Sequence, residues 1–419
     1  MFDKNSTKVN IARFHCVLRN RAILLCYFHA ARVPQAPAAA SSCWSTDVNG
    51  NDPIYHVYKF QKRSVPDPST GKISTKCKTS VSAVAVAMLL VACGGGGGDS
   101  APSTPVQSTP TTTTPPAPVI TPADIQTSVP AFTYAATSEE NMFINALNTF
   151  RAQVGLGLLA QSPLLDKAAA NHLAYVLKND VNTGGTLNMN SVDPVTGRAM
   201  FHIESGDKPL FTGIQEIDRA KSVGYAGVYV GEQGAFGGGK GAQVAFDSLA
   251  STVYHRAGLM FQGPREVGIA VGQNSSQTFV MEVGYGRAQS QASDFVGVYP
   301  AANQTAVGLS AGVESPNPFP DLSTANADFP TKTGYPVTVT VKEGAILELV
   351  SFTLTEAGVA APLDARVMTK DNDPNEYLAA NFAVLVAKAP LKQNTKYMAS
   401  FFGRVNNVAV KKDWSFTTR

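Results

Sequence analysis

A long run of residues that cannot form a hydrophobic core divides this chain into two very different parts. The run reads GGGGGDSAPSTPVQSTPTTTTPPAPVITP and spans residues 94–122. Its glycines favour a flexible chain, and its proline- and threonine-rich remainder favours an extended, polyproline-like spacer. We therefore assign residues 94–130 to a linker and expect the globular structure to follow it.

The segment before the linker has the layout of a secretory signal. Three lysines precede a short apolar run at residues 81–92, which is too short for a comfortable membrane span of about 20 residues. The run ends in LVAC, which resembles the bacterial lipobox, whose cysteine is lipidated and becomes the mature N-terminus. We therefore predict a lipoprotein signal peptide at residues 72–93, lipidation of Cys93, and an extracytoplasmic protein anchored to a bacterial membrane, at the outer membrane or cell surface.

Residues 1–71 precede this signal, although a leader normally begins a protein. They show no sustained periodicity and mix apolar with basic residues. We expect a pre-region that is disordered or is not part of the native protein, with no stable fold before Cys93.

Charge and cysteine content exclude two kinds of site from the remaining chain. From residue 93 onwards there are 22 Lys and Arg against 27 Asp and Glu, so the mildly acidic main body offers no basic surface for nucleic acid. All five cysteines lie within the first 93 residues. Neither a disulfide framework nor a thiolate metal site is therefore expected in the folded part.

Residues 131–290 combine helical and strand-like sequence. Apolar residues recur at helical spacing in four segments, which predicts helices beginning near Thr137, Ser162, Thr212 and Gln243. Thr137 with Glu140 is typical of a capping box, and Ser162-Pro163 of a cap followed by proline. REVGIAVG and TFVMEVGYG then flank a polar turn and predict a β-hairpin. The segment is therefore predicted to be an α+β domain.

Residues 300–419 follow a different pattern. Strand-like segments such as GYPVTVTV, ILELVSFTLTEAG and NFAVLVAKAPL are separated by turn residues, which is typical of an all-β sandwich. Trp414 and Phe416 alternate and should both face the core. The closing sequence resembles the last strands of bacterial Ig-like domains, which usually space or present a neighbouring domain.

Three histidines follow the linker, and all lie in the α+β segment: His172, His202 and His255. Glu232 lies between the last two, in VGEQ. Imidazoles with a carboxylate suit zinc or a similar divalent metal, and a neutral imidazole beside a carboxylate can also serve as a general base. His172 lies on the apolar face of its helix, which is more typical of a hydrogen-bonded core histidine than of a ligand.

Four stretches, in order, resemble the bacterial CAP superfamily (cysteine-rich secretory protein, antigen-5 and pathogenesis-related proteins). NTFRAQVGLGLLAQSPLLDKAAANHLAY resembles its opening helices, and FHIESGDKPLFTGIQEIDRAKSVGY its histidine-bearing loop. VGEQ is similar to its GEN motif, and HRAGLMFQGPREVGIAVG to its HRxxLL stretch. The resemblance covers about residues 137–290.

The resemblance implies a three-layer αβα sandwich at residues 131–290 with a central cleft. His202 and His255 would face each other across this cleft beside Glu232, and in some members such a histidine pair binds a divalent metal. The chain departs from the family pattern at Gln233, at Leu249 and near Thr252, where a second carboxylate is usual. Glu204 or Asp247 could replace that carboxylate, and we place His172 and Glu204 at the cleft as secondary residues.

These observations favour a non-catalytic binding module whose cleft holds a divalent metal, a small ligand or a lipid, a peptide or a cell-wall component. No nucleophile partner and no tight metal motif accompany the histidines, so catalysis is not expected. A metal-dependent, peptidase-like hydrolase acting through His202, Glu232 and His255 is one alternative. A structural or adhesive envelope protein acting through the Ig-like domain is another.

Overall fold

The computed structural model describes residues 16–18, 24–26, 120–194, 196–236, 240–275, 277–320 and 333–419. The chain divides into two compact units, Met1–Gln107 and Ser108–Arg419. In the first unit, strands β1 (Cys16–Leu18) and β2 (Leu24–Cys26) pair antiparallel. The signal peptide with Cys93, and the spacer as far as residue 119, lie outside the described residues, so their interpretation stays a prediction. No helix among the described residues is long and apolar enough to cross a membrane.

The first two helices of the second unit begin close to their sequence signals. Helix α1 (Glu139–Val154) starts one residue later than predicted, because Ser138 rather than Thr137 is the N-cap and its hydroxyl accepts from the N–H of Asn141 at 3.2 Å. Helix α2 (Pro163–Asn179) has Ser162 as N-cap and proline at its first position, as predicted.

The next two predicted helices differ more from expectation. Helix α3 (Glu216–Ser222) begins four residues after Thr212, so Ile214 lies before it and is 52% exposed. The fourth helix was predicted at roughly Gln243–Tyr254; in the structure α4 (Ala242–Ala250) ends four residues earlier, and a separate helix, α5 (Tyr254–Leu259), follows. Between α4 and α5, the hydroxyl of Thr252 donates to the carbonyl of Leu249 at 2.8 Å, at the end of α4.

A four-stranded sheet forms the centre of this domain. Its strands are β3 (Ala160–Gln161), β4 (Tyr229–Ala235), β5 (Glu266–Val271) and β6 (Phe279–Tyr285), in the order β3-β5-β6-β4. Strands β5 and β6 form the predicted hairpin, β3 pairs parallel to β5, and β4 is at one edge, antiparallel to β6.

Helices cover both faces of the sheet. Phe279 of β6 packs on Phe143 of α1, with ring centroids 5.5 Å apart. The next residue, Val280, points to the opposite face and packs with Leu173 of α2. Helix α4 packs with α1 on the first face, and α3 packs with α2 on the second. The domain is therefore built in three layers, and the predicted α+β class is confirmed.

The remaining strands form two antiparallel sheets that share a core. They are β7 (Val296–Tyr299), β8 (Val337–Val341), β9 (Leu347–Glu356), β10 (Ala365–Thr369), β11 (Phe382–Ala387), β12 (Lys396–Val405) and β13 (Val408–Thr417). One sheet has the order β10-β11-β8-β7 and the other β13-β12-β9. Trp414 and Phe416 are 4% and 1% exposed, so the predicted alternation and the all-β C-terminal region are confirmed.

The two domains are joined by buried contacts. Phe150 of α1 lies 4.6 Å from Tyr299 of β7, measured between ring centroids. Arg256 of α5 is fully buried, donates to the carbonyl of Pro336, and places its guanidinium 4.5 Å from the ring centroid of Tyr335. Because one apolar core runs through both domains, the β-sandwich is part of the same folded body.

The chain enters this body at the junction of the two domains. The backbone N–H of Asp124 donates to the carbonyl of Ser290 at 2.7 Å, and that of Ser290 returns a bond to Asp124 at 3.0 Å. Arg265 lies 3.0 Å from the Asp124 carboxylate, and Arg287 also contacts it. The segment following the spacer is thus held beside the connection between the domains.

A carboxyl at the domain junction makes stability depend on pH. Glu343 lies between β8 and β9, and its backbone N–H donates to the side chain of Gln262 at 2.8 Å. Burial raises the pKa of Glu343 to about 7 from an ordinary value of 4.5, despite bonds from backbone N–H groups. The unfolded chain therefore loses this proton at a lower pH than the folded chain.

We expect the Glu343 contribution to stability to be complete below about pH 4.5 and to be lost as pH rises through about 7. Glu343→Gln should remove this dependence, because glutamine does not titrate. Between about pH 5 and pH 8, the wild type should lose about 2 kcal/mol more unfolding free energy than the variant. Urea unfolding of both proteins at the two pH values measures this difference, and equal losses would contradict the prediction.

Candidate functional site

Five ionisable side chains are fully buried together on the face of the sheet covered by α2 and α3. We call this set the buried charge cluster; its members are His172, Glu204, Arg219, Glu232 and Glu282. Glu232 on β4 and Glu282 on β6 are directly opposite each other in the strand ladder. Buried charges are costly unless each one is paired, so the contacts of each member determine its charge.

Both carboxylate oxygens of Glu232 have cationic or donating partners. Oε1 accepts from Nδ1 of His202 at 2.8 Å and lies 3.5 Å from Nε2 of His172. Oε2 accepts from Nη2 of Arg219 at 2.5 Å. Burial acts to raise the pKa of Glu232, but Arg219 and the two imidazoles outweigh it and hold this pKa well below its usual range. Glu232 is therefore an ionised carboxylate.

Arg219 links the cluster to the loop that carries His202. Its Nη1 donates to the carbonyl of His202 at 3.3 Å, and its Nε lies 4.0 Å from the Glu204 carboxylate. In the structure it is a buried arginine in contact with three carboxyl groups.

His172 has an acceptor on each ring nitrogen. Nδ1 lies 2.9 Å from Oε1 of Glu204, and Nε2 lies 2.8 Å from the carbonyl of Phe201. The other oxygen of Glu204 accepts from the N–H groups of Thr212 and Gly213 at 2.6 and 3.3 Å. Both ring nitrogens of His172 are therefore engaged within the fold, and neither is free for a ligand. This agrees with the core role favoured by its helical position.

Glu282 completes the charge balance. Neither oxygen has a donor within hydrogen-bond distance, and Arg219 Nη2 is 3.6 Å away. Burial, and then the negative charge of Glu232, raise the pKa of Glu282 well above its usual range, so this carboxyl keeps its proton. Arg219 and Glu232 are then the paired charges of the cluster, and Glu282 is neutral.

His202 connects this interior to the surface. It ends a short 3₁₀ turn, Met200–His202, and 22% of its side chain is exposed. Because Glu232 is ionised, Nδ1 of His202 carries the hydrogen, and Nε2 keeps a lone pair with no partner among the described residues. The ring of Phe201, the residue before His202, packs closely on Gly234 of β4. A larger residue at this position would clash, because a Cβ would lie 2.1 Å from the Phe201 ring. The site thus presents an oriented imidazole acceptor.

His255 has other partners than His202 and Glu232. Its Nδ1 lies 3.3 Å from Glu314, and its backbone carbonyl accepts from Gln233 at 2.9 Å. Gln233 follows Glu232 on β4 and therefore points to the opposite face of the sheet. Thus Glu232 contacts His202 on one face, and Gln233 contacts the backbone of His255 on the other.

The arrangement does not fit a metal held by the predicted set. Within the residues that the structure describes, no three His, Cys, Asp or Glu side chains are placed to hold a metal ion. Glu232 uses both oxygens for His202 and Arg219, and Glu204 bonds His172 and the backbone of its own loop. Asp247, the other suggested carboxylate, accepts from Gln243 on the surface of α4 at 2.8 Å.

Two carboxyl groups at these sites were missed in the sequence. Glu282 could have been predicted, because strand alternation in TFVMEVGYG places it on the same face as Val280. The sequence therefore indicates one acidic residue on the apolar, buried face of this strand. Glu314 had no such signal, because it lies in the segment that connects β7 with β8 and its contact with His255 joins residues 59 apart in sequence.

A groove of about 550 Å³ lies between α2 and β5, apart from these residues. It is lined by apolar side chains such as Leu173, Leu177 and Ile269, with Asp166 at one side. The Asp166 carboxylate accepts from Gln161 at 2.7 Å and from the Ile269 N–H at 3.0 Å, so it is engaged within the fold.

Comparison with known proteins adds little to this geometry. No family model matches the chain, and no curated protein matches it. Among solved structures, the chain is similar to an outer surface protein from Borrelia burgdorferi, at 14% identity and a TM-score of 0.27. The similarity covers 36% of this chain and 96% of that chain. At such a score neither family nor function follows, and both are left to the residues themselves.

Proposed function

We propose that this chain is a lipid-anchored, extracytoplasmic protein of the CAP type that binds an amphiphilic ligand without transforming it. One observation carries the proposal: buried Glu232 accepts the Nδ1 hydrogen of His202, which leaves Nε2 at the surface as an acceptor. Such an acceptor fits a ligand with a hydroxyl or amide head group. The order of the sequence motifs and the three-layer domain support the CAP assignment.

The loop that follows His202 offers an apolar surface for the rest of the ligand. Leu210, Phe211 and Ile214 are 54%, 40% and 52% exposed, and we call these three residues the loop patch. Beneath them, buried Glu204 accepts from the N–H groups of Thr212 and Gly213. The backbone N–H of Glu204 also donates to Ile214 at 3.2 Å. The loop is therefore fixed from inside while its apolar side chains face outward.

The alternatives from the sequence have less support. A metal-dependent hydrolase needs Glu232 as a ligand, but both of its oxygens already bond His202 and Arg219. An adhesive envelope protein would act through the β-sandwich, whereas the oriented imidazole and the loop patch both lie on the α/β domain.

The proposal is tested with lauroylglycerol, which has two hydroxyls, and methyl laurate, which has none. Isothermal titration calorimetry should detect tighter binding of lauroylglycerol to the wild type. His202→Ala should weaken lauroylglycerol about fivefold and leave methyl laurate unchanged, because one hydrogen bond contributes about 1 kcal/mol. Phe211→Ser should weaken both ligands about tenfold through lost apolar contact.

Ile346→Ser is the matched control, because Ile346 is 60% exposed on the β-sandwich and should not affect either ligand. If His202→Ala bound each of the two ligands as tightly as the wild type does, the role of His202 would be refuted. Zinc titration of the wild type and the His202→Ala/His255→Ala double variant tests the metal alternative. The metal alternative would replace the proposal if the wild type bound zinc stoichiometrically, the double variant did not, and the wild type did not bind lauroylglycerol.

A further inference from the structure

His255 repeats the arrangement of His202 with a carboxylate from outside the α/β domain. The His255 side chain is 24% exposed, while that of Glu314 is fully buried. Nδ1 of His255 lies 3.3 Å from Oε2 of Glu314 and 3.4 Å from the hydroxyl of Thr252. Glu314 belongs to the segment that connects β7 with β8.

Both groups facing Nδ1 can only accept a hydrogen bond there. The Thr252 hydroxyl donates its hydrogen to the carbonyl of Leu249 at 2.8 Å, so its lone pairs face the ring. The Glu314 carboxylate accepts from the N–H groups of Val253 and Tyr254 at 2.6 and 2.9 Å. The hydrogen of a neutral His255 ring is therefore on Nδ1, and the lone pair is on Nε2.

Glu314 is itself held in place by the break between α4 and α5. The backbone N–H of Gly312 donates to the carbonyl of Ser251 at 2.9 Å. A Cβ at Gly312 would lie 2.3 Å from the hydroxyl oxygen of Ser251, so the backbone approaches closely at this point. Residues 312–314 are thus bonded to the end of α4 and to the first turn of α5, and they cannot move without breaking these bonds.

We infer that Glu314 is a positioning residue that fixes the tautomer of His255 and presents its Nε2 as a second imidazole acceptor on the α/β domain. Its ligand chemistry is that of His202, a hydroxyl or amide donor. The inference goes beyond the proposed function and is tested separately, because its measurement is a tautomer and not the binding of an amphiphile.

The test uses two-bond proton–nitrogen NMR correlations of the ¹⁵N-histidine-labelled full chain at a pH where its imidazoles are neutral. In the wild type, His255 should show a protonated Nδ1 and an unprotonated Nε2. Glu314→Ala should shift the ring towards the Nε2–H form, and Glu314→Asp, which keeps a carboxylate, should restore much of the wild-type pattern. His202 serves as the internal control, because its partner is Glu232 and its signals should not change.

Two results would overturn the inference. One is an Nε2–H tautomer for His255 in the wild type. The other is an unchanged His255 spectrum in a Glu314→Ala protein whose His202 signals match those of the wild type and so show that it is folded. If Glu314→Ala does not fold, the His255 tautomers of the wild type and of Thr252→Ala still test the inference. The threonine variant should keep the Nδ1–H form, because Glu314 alone can accept that hydrogen.

Discussion

Arg219→Met is expected to lower the free energy of unfolding by about 3–5 kcal/mol, the usual cost of removing one partner from a buried ion pair. Methionine fills much of the arginine volume, so the loss is mainly electrostatic. It leaves the buried Glu232 carboxylate with only its imidazole contacts. Urea unfolding measures the loss, with yield of soluble protein as the readout if the variant is too unstable.

Two further variants make the result specific. Arg198→Met is the matched control, because Arg198 and Glu216 form a partly exposed pair at 3.0 Å that should contribute less than about 1 kcal/mol. Glu232→Gln combined with Arg219→Met should recover part of the loss, since it removes the uncompensated charge. If Arg219→Met cost no more than Arg198→Met, the charge balance inferred for the cluster would be wrong.

A chain shortened to end at residue 291 is expected to lose its cooperative fold, although the α/β domain would be complete in sequence. The truncation removes Tyr299 from Phe150 and strips buried Arg256 of its bond to Pro336. It also removes Glu314, which bonds the first turn of α5. Exposing a shared apolar core and leaving a buried guanidinium without its acceptor are both strongly destabilising.

Near-ultraviolet circular dichroism and thermal unfolding of the shortened protein measure this effect. A chain that begins at residue 120 and keeps the β-sandwich is the control and should unfold cooperatively. A sharp transition in the shortened protein, within a few degrees of that control, would show that the domains fold independently. The same result would support the spacer role that the Ig-like resemblance suggested for the sandwich.

Local signals allowed much of the fold to be predicted. Ser162-Pro163 specified the start of α2, and alternation specified the β5–β6 hairpin and the inward positions of Trp414 and Phe416. Such features depend on residues within one turn or strand, so a pattern in the sequence is sufficient. The break between α4 and α5 was missed because it is stabilised by Glu314, which is about 60 residues away in sequence and acts through bonds to the backbone.

The candidate site was only partly readable for the same reason. The motifs named His202 and Glu232, and the structure brings these two together. The partners of His255 depend on which face of β4 each side chain occupies and on where the residues around Glu314 meet the break between α4 and α5. Neither property follows from spacing, because loop closure over long segments is specified by tertiary packing and not by local propensity.

The attachment at Asp124 has a mechanical consequence. In a chain tethered through its spacer, tension would reach the folded body first through the bonds between Thr121 and Ser293, and then through the paired bonds between Asp124 and Ser290 and the arginines on the Asp124 carboxylate. Force is therefore applied at the seam of the two domains, and the first bonds to break under load are local to that seam. With the lipid anchor proposed above, a pull from the membrane would break these short-range bonds before it disturbs the sheet that carries Glu232.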